Sequence, residues 1–423
     1  MGGAVNYAKM WISNKFFVRF TLLCFYPIVL WQMEYIKWLL ESGKQSSEWL
    51  LPGSDFRVFW SAAHVVLTGA GPTVYDYGTF HWVEERFFGP MPYGAGYMPW
   101  CYLPIFLMIV TPLGFFPFWV AFALWDGLTL ALLLYAVYRV SDMRLAGLTH
   151  SQFAIAAIFS PAVFLPFLTA QNVFLVSGLA MLAVLWVSEY PVLAGLCIGL
   201  LVIKPQFAVA FPFVLVATRA WKAFIVAMVS AIVLMATSVA VEGWGALMGA
   251  WEASRQLQDL TIENSWGYWH ASPGIMAALR LTGFSARMAL IAWALCALIA
   301  ILGVVNVWKL SRDSCMRAGA LAASVLLISP YAWHYELAWL GISSLCLYSM
   351  ATRGGWLKWE QPLFLLAWVI PIYNSIKINC TNLTILIPIE PLVCLLFLLF
   401  FLRRCRLERD LAGIPLALDT VQA

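Results

Sequence analysis

Asp55 is the only acid at the head of a helical pattern, "SDFRVFWSAAHVVL". In a chain this apolar, a carboxylate placed there is a candidate proton acceptor. Lys204 interrupts "GLLVIKPQFAVAF", where a lysine is costly unless it meets a cavity or a partner. His334 lies in "SPYAWHYE" beside Glu336, and His270 in "GYWHASPG". Gln171 and Asn172 stand at a helix junction after Pro166. A lysine, one or two histidines and side-chain amides suit an anionic headgroup. An acid opposite them adds a base.

Each of these residues also has a plainer role open to it. Asp55 could complement a helix dipole, with Ser54 as the N-cap. Lys204 could snorkel to the interface. Gln171 and Asn172 could cap helices, His334 could pack at the interface, and His270 could belong to an aromatic loop surface. The paired carboxylates of a glycosidase are not evident. Asp126, in "FALWDGLTL", falls mid-span, too deep to share a site with Asp55. It reads as an interhelical hydrogen-bonding group. Glu390, beside Pro388 and Pro391, reads as structural, and Asp76 as loop architecture.

The elements that must position these groups are membrane helices. Of the 423 residues, 63% are hydrophobic and 11% charged, against roughly 25% charged in soluble domains. Mean hydropathy is +0.83. Apolar runs fall at 16–36, 117–138, 151–167, 173–187, 191–203, 205–218, 223–241, 286–308, 318–332, 337–350, 361–374 and 382–402. They predict an all-α polytopic membrane protein of about twelve spans, one integral domain over 1–423. No cleavable leader is expected. The nine cysteines are scattered without a CxxC pair, so neither a zinc site nor a disulfide framework is suggested. No basic stripe supports nucleic-acid binding.

Orientation follows from the cations. They cluster at Lys9/Lys15/Arg19, Arg139/Arg144, Arg219/Lys222, Lys309/Arg312/Arg317, Arg353/Lys358 and Arg403/Arg404/Arg406/Arg409. With twelve spans all of them fall on one side, taken as cytoplasmic together with the tail 403–423. The segments 41–98, 168–172, the Lys204 corner, 242–285, 333–336 and 375–381 then face outward, carrying His64, His81, His270 and His334. Loops as long as 41–98 and 242–285 are usually functional. The run 99–114, broken by Pro99, Pro104 and Pro112, is then re-entrant or tucked against the outer surface. A second solution makes 99–114 a span and fuses 191–218 into one kinked helix; it exports Arg139 and Arg144 and buries Lys204. The apolar stripe Phe56, Phe59, Trp60, Ala63 and Val66–Leu67 lays the Asp55 helix along the membrane surface.

Taken in order, these pieces resemble a known family. "SDFRVFWSAAHVVLTGAGPTVYD", "GYMPWCYLP", "TAQNVFL", "AGLCIGLLVIKPQFA" and "LISPYAWHYELAWL" follow the pattern of glycosyltransferase family 87, over roughly residues 20–400. One departure is Ala170, where the pattern commonly has glycine. The resemblance implies a GT-C-like fold with a long first outer loop carrying surface helices. Similar proteins include actinobacterial mannosyltransferases that elongate phosphatidylinositol mannosides. They take a sugar from a polyprenyl phosphate at the outer side of the membrane and transfer it with inversion. On that resemblance Asp55 is the general base, and His334 and Lys204 contact the donor phosphate, with Arg57 beside them. Gln171, Asn172, Trp269, His270 and Tyr75 are expected to bind substrate.

The chemistry explains why one acid would suffice. A departing polyprenyl phosphate is already a good anion and needs little protonation. A base for the acceptor hydroxyl and cations for the phosphate are what remain to be supplied. No cluster of acids suggests a metal, so neither a metal nor a cofactor is expected. The expected partners are the lipid-linked sugar donor, a lipid or glycan acceptor and membrane lipids. The expected location is the plasma (inner) membrane, with the site on the periplasmic or extracellular side. The rival reading is a lipid or glycolipid flippase, which calls for polar groups along a mid-bilayer path and matching repeats. Neither is visible in the chain. A purely structural subunit fits the long polar loops less well.

Overall fold

The computed structural model describes residues 7–8, 12–42, 52–89, 99–142, 147–263, 266–379 and 388–412. Parts of the first outer loop (43–51 and 90–98) and the end of the tail (413–423) lie outside the described residues. The chain runs as α1 (Asn14–Ser42), α2 (Ser54–Leu67), α3 (Tyr77–Phe88), α4 (Pro104–Val110), α5 (Phe118–Val140), α6 (His150–Ile158) and α7 (Pro161–Thr169). It continues with α8 (Val173–Trp186), α9 (Pro191–Leu200), α10 (Ala210–Ala217), α11 (Trp221–Glu242), α12 (Trp244–Glu263) and α13 (Trp266–Ala271). The last third holds α14 (Ile275–Leu281), α15 (Ala286–Leu310), α16 (Ser314–Ile328), α17 (Ala338–Gly354), α18 (Glu360–Asn379) and α19 (Glu390–Ala412).

The all-helical reading holds, and the apolar runs nearly all become helices. Their lengths differ from the expectation of twelve uniform spans. Among the described residues four helices, α1, α5, α11 and α15, are long and apolar enough to cross a membrane alone. The pair α6–α7 adds a fifth if its 63° bend is one broken span. Several of the rest, α8, α9, α10 and α16 among them, are cut short at 8 to 15 residues, while α12, α18 and α19 run to 20, 20 and 23 residues but carry more polar and charged side chains. Helix α8, with 14 residues, covers only about 21 Å at the rise of an α-helix.

The segment 99–114 is short and broken. Helix α4 has seven residues, and the 3-10 turn Thr111–Phe115 adds five. Together they reach about 20 Å, against about 30 Å of hydrocarbon. They pack beside α2, as a tucked segment would. Nor is 191–218 one helix. The 3-10 stretches Leu201–Ile203 and Pro205–Phe207 separate α9 from α10, and Lys204 between them has φ −140° and ψ 74°.

Helix α16 is buried along its whole face from Cys315 to Ile328 and forms the axis of the bundle. Helices α11 and α15 instead expose wide apolar faces, including Ile232, Val233, Leu295 and Ile299, as lipid-facing helices do. Contacts join five of the six cation-rich segments, those other than Arg219/Lys222. Strand β1 (Tyr7–Ala8) pairs antiparallel with β2 (Trp356–Leu357). Asn14 donates to the Gly147 carbonyl, and Arg353 lies 3.9 Å from both Asp142 and Asp313. Arg404 grips Glu360 with two nitrogens.

Helix α2 departs from the expected surface helix. Phe56, Val58, Phe59, Ala62, Ala63 and Val65 are all buried, so neighbours wrap it on most sides. Its N-cap is Gly53, not Ser54. Gly53 has φ 73°, and a Cβ there would meet the Phe118 ring at 3.0 Å. Both constraints call for glycine. The Gly53 N–H donates to the Leu168 carbonyl at 2.8 Å, tying the start of α2 to the corner before α8.

Asp126 is buried on α5, and neither of its oxygens has a hydrogen-bond partner among the described residues. The expected interhelical bond is not made. Its helix packs on α8, whose hydroxyl at Ser177 is turned back onto the Val173 carbonyl. Glu390 is structural as expected: it accepts from Lys377 at 2.8 Å and from Asn374 at 2.7 Å. Lys377 is thus a second buried lysine that the apolar pattern concealed. Asp76 caps α3 by accepting from the Thr79 N–H.

Candidate active site

Five separate segments meet around Asp55. The acid lies in the first turn of α2 and is 4% exposed. The side-chain amide of Gln171 donates to Asp55 Oδ2 at 2.8 Å. That amide is held by its other end: Gln171 Oε1 accepts from the Asn172 backbone N–H at 3.2 Å and from the Tyr102 hydroxyl at 3.5 Å. Gln171 therefore cannot flip without losing both, and it aims an N–H at the carboxylate. Burial pushes the Asp55 carboxyl up to about 6, opposed by Gln171, Thr169 and the charge on Lys204. The result is a fixed carboxylate with a pKa closer to neutrality than a free one.

Lys204 is 6% exposed at the corner between α9 and α10. It does not snorkel. Its Nζ lies 2.7 Å from Glu336 Oε1, with the rings of Tyr335 and Phe207 centred 5.1 and 5.6 Å away. Burial raises the Glu336 carboxyl, and Lys204 pulls it back down. His334 sits two residues before Glu336 in the same 3-10 stretch, His334–Leu337. Both of its ring nitrogens are buried and without a partner among the described residues, and burial pushes it down to about 4. It is thus a neutral ring rather than the cation expected. Asn172 stands at the N-cap of α8, as considered above, but its buried side chain makes no capping bond, and neither polar atom has a partner among the described residues.

Behind these groups stands a block of rings. Phe59 packs on Phe106 at 5.1 Å and on Trp125 at 5.8 Å, and Phe106 on Tyr102 at 4.7 Å. Trp125 Nε1 donates to the Ala170 carbonyl, which fixes the Gln171 corner to α5. Ala170 has φ 52° and ψ 49°, the left-handed conformation for which glycine is the usual residue. That conformation costs an alanine about 1–2 kcal/mol. Ala170→Gly would relieve it, but would lose about 0.8 kcal/mol of methyl burial and about 0.4–1 kcal/mol through the freer unfolded chain. The terms nearly cancel. Stability in a denaturant melt is expected to change by less than about 1 kcal/mol, and a larger change would mean the corner relies on the methyl group.

Several expected site residues are placed elsewhere. Arg57 stacks over Phe88 at 5.3 Å, and its charge acts against the burial that raises the Glu84 carboxyl to about 8. Two residues along a helix turn the side chain by about 200°, so Arg57 and Asp55 face different neighbours. The Tyr75 hydroxyl donates to the Tyr102 carbonyl at 2.8 Å and accepts from Trp100, so both of its roles as donor and acceptor are taken up in bracing the Tyr102 segment. Trp269 has its ring covered by Arg280 at 4.5 Å, and His270 beside it is buried. From the same short helix it is Tyr268 that reaches Trp333, the neighbour of His334, at 4.9 Å.

Residues missed from sequence are Tyr102, Tyr268, Tyr335 and above all Glu336. Glu336 had a signal: a buried lysine demands a buried acid. Among the described residues no three His, Cys, Asp or Glu side chains come together as metal ligands.

The arrangement offers an oriented base, a buried cation and unpartnered polar groups near the same end of the bundle. It suits transfer to a hydroxyl from a carrier with an anionic leaving group. The model of a known family, glycosyltransferase family 87, matches residues 100–330. That span holds Tyr102, Gln171, Asn172 and Lys204, while Asp55 and the His334–Glu336 turn lie outside it. No curated protein and no solved structure matches the chain. The match takes in more than half of the 423 residues, and on it the chain belongs to glycosyltransferase family 87.

Proposed function

We propose that this glycosyltransferase moves a hexose, mannose favoured, from a polyprenyl-phosphate carrier to a hydroxyl of a lipid-linked or glycan acceptor, with inversion. Asp55 takes the proton of the acceptor hydroxyl as its oxygen bonds to the anomeric carbon. The bond from that carbon to the phosphate oxygen breaks on the opposite face, and the phosphate leaves as an anion. Lys204 supplies the positive charge it needs. His334, neutral when the site is empty, donates an N–H to a phosphate oxygen. Gln171 holds the base in line, and the free amide of Asn172 suits a sugar hydroxyl. Arg57 has no phosphate role in this scheme.

The observation that carries the reading is Asp55, a buried carboxylate oriented by Gln171 and close enough to feel the charge of Lys204. The outer-face location and a twelve-span, GT-C-like arrangement are part of the proposal. They are supported by the contacts among most of the Lys/Arg-rich segments and, separately, among the segments near 55, 171, 204 and 336. On this reading the protein is a multi-pass plasma-membrane enzyme.

The test is transfer by the purified enzyme in proteoliposomes, with polyprenyl-phosphate mannose or glucose as donor and extracted membrane glycolipids as acceptors. Product is expected with a chelator present, because no metal takes part. Activity is expected to fall as pH drops through about 6, because the protonated Asp55 cannot accept a proton. Activity abolished by chelator and restored by magnesium or manganese would overturn the metal-free scheme. No transfer from any polyprenyl-phosphate hexose would overturn the donor class.

A further inference from the structure

The Lys204–Glu336 pair raises a problem of charge. Lys204 is too deep to remain bare, since an unpaired ammonium in a low-dielectric site costs several kcal/mol. Asp55 does not serve it by contact: its carboxylate is engaged by Gln171. The contact at 2.7 Å is made by Glu336, itself 2% exposed. Tyr335 and Phe207 flank the same ammonium. When a donor phosphate reaches Lys204, one cation faces Asp55, Glu336 and the phosphate. His334 adds no charge of its own, and Arg57 lies toward Phe88 and Glu84.

We propose that Glu336 is a positioning residue that holds Lys204 while the site is empty and is exchanged for the donor phosphate when the site fills. This rests on the reading of Lys204 as the phosphate contact. Glu336 is then an internal competitor of the donor. It keeps Lys204 charged and in place, and it weakens binding of both the donor and the departing polyprenyl phosphate, so that product can leave. No bond is made or broken in the exchange; one anion replaces another at Nζ.

The sign of one substitution separates this role from simple support. If Glu336 only props Lys204, Glu336→Gln weakens anion binding. If Glu336 competes, Glu336→Gln strengthens it. The probe is farnesyl phosphate, a short product analogue, titrated into the purified protein in detergent. Glu336→Gln is expected to bind it about tenfold tighter, with a lower KM for the donor and stronger inhibition by polyprenyl phosphate, a tenfold change being about 1.4 kcal/mol. Binding that is unchanged or weaker overturns the exchange. Should Glu336→Gln not fold, Glu336→Asp draws the carboxylate back from Nζ and is expected to shift affinity the same way by a smaller factor; weaker or unchanged binding there overturns it too. Lys204→Met/Glu336→Gln, which leaves no charge of the pair unpaired, separates the two claims. It is expected to lose farnesyl phosphate binding. If it binds as well as the wild type, the phosphate reading of Lys204 fails. If it loses binding while the single variants show the wrong sign, only the exchange fails.

Discussion

Asp55→Asn is expected to lower kcat by about two to four orders of magnitude, the usual worth of a positioned base, while leaving the fold intact. Asparagine has the shape of aspartate, and its oxygen can still accept from Gln171 Nε2, which contacts Oδ2 in the wild type. It cannot accept the acceptor's proton. Stability should not fall with activity. The fold raises the Asp55 carboxyl from 3.8 to about 6, so it favours the neutral form. The stability that this preference contributes is present below about pH 3.8 and is lost as pH rises through about 6. Asparagine is neutral at every pH and does not lose it. At pH 8 the variant should therefore melt no lower than the wild type, and it should still bind farnesyl phosphate. The acid limb of the pH profile should vanish with the base. A variant within tenfold of wild-type kcat would remove Asp55 from the chemistry and leave it as a helix-start acid.

What could be read from sequence was cost. A lysine in "LLVIKPQF" and an acid at the head of an apolar helix are conspicuous because burying them is expensive, and both lie in the cluster. Glu336 was overlooked for the opposite reason. Beside His334, in an aromatic segment near an interface, an acid looks solvated until folding brings it to Lys204 across 132 positions. Gln171 was found by position, but its task was not: only the bonds from Tyr102 and Asn172 show that its amide is pinned toward Asp55. Arg57 was drawn in by closeness along the chain, which on a helix places side chains two apart on different faces. Trp269 and Tyr75 were drawn in by residue type, and each is used in packing. The helices themselves were legible from hydropathy. Their lengths were not, because a break such as the Lys204 corner goes with a tertiary partner, here the buried side-chain pair with Glu336.

Lys204→Met should destabilise the protein by about 3–5 kcal/mol, the range for breaking a buried ion pair from one side, and should abolish transfer. Methionine keeps the length and apolar stem, and a thioether packs well between rings such as Tyr335 and Phe207. The damage comes from Glu336, left buried without its partner. Lys204→Met/Glu336→Gln separates the two consequences. With both charges gone there is no orphan, and replacing a buried pair by neutral groups of similar size is often close to neutral. The double variant should therefore recover to within about 1 kcal/mol of wild type in a denaturant melt. Transfer should not recover, because among the described residues no second cation contacts this cluster to receive the leaving phosphate. A double variant that is both stable and active would make Lys204 a structural partner of Glu336 alone, and the phosphate would have to be held by other groups. A double variant that is stable and inactive assigns the cost of folding to the pair and the need of the reaction to its cation.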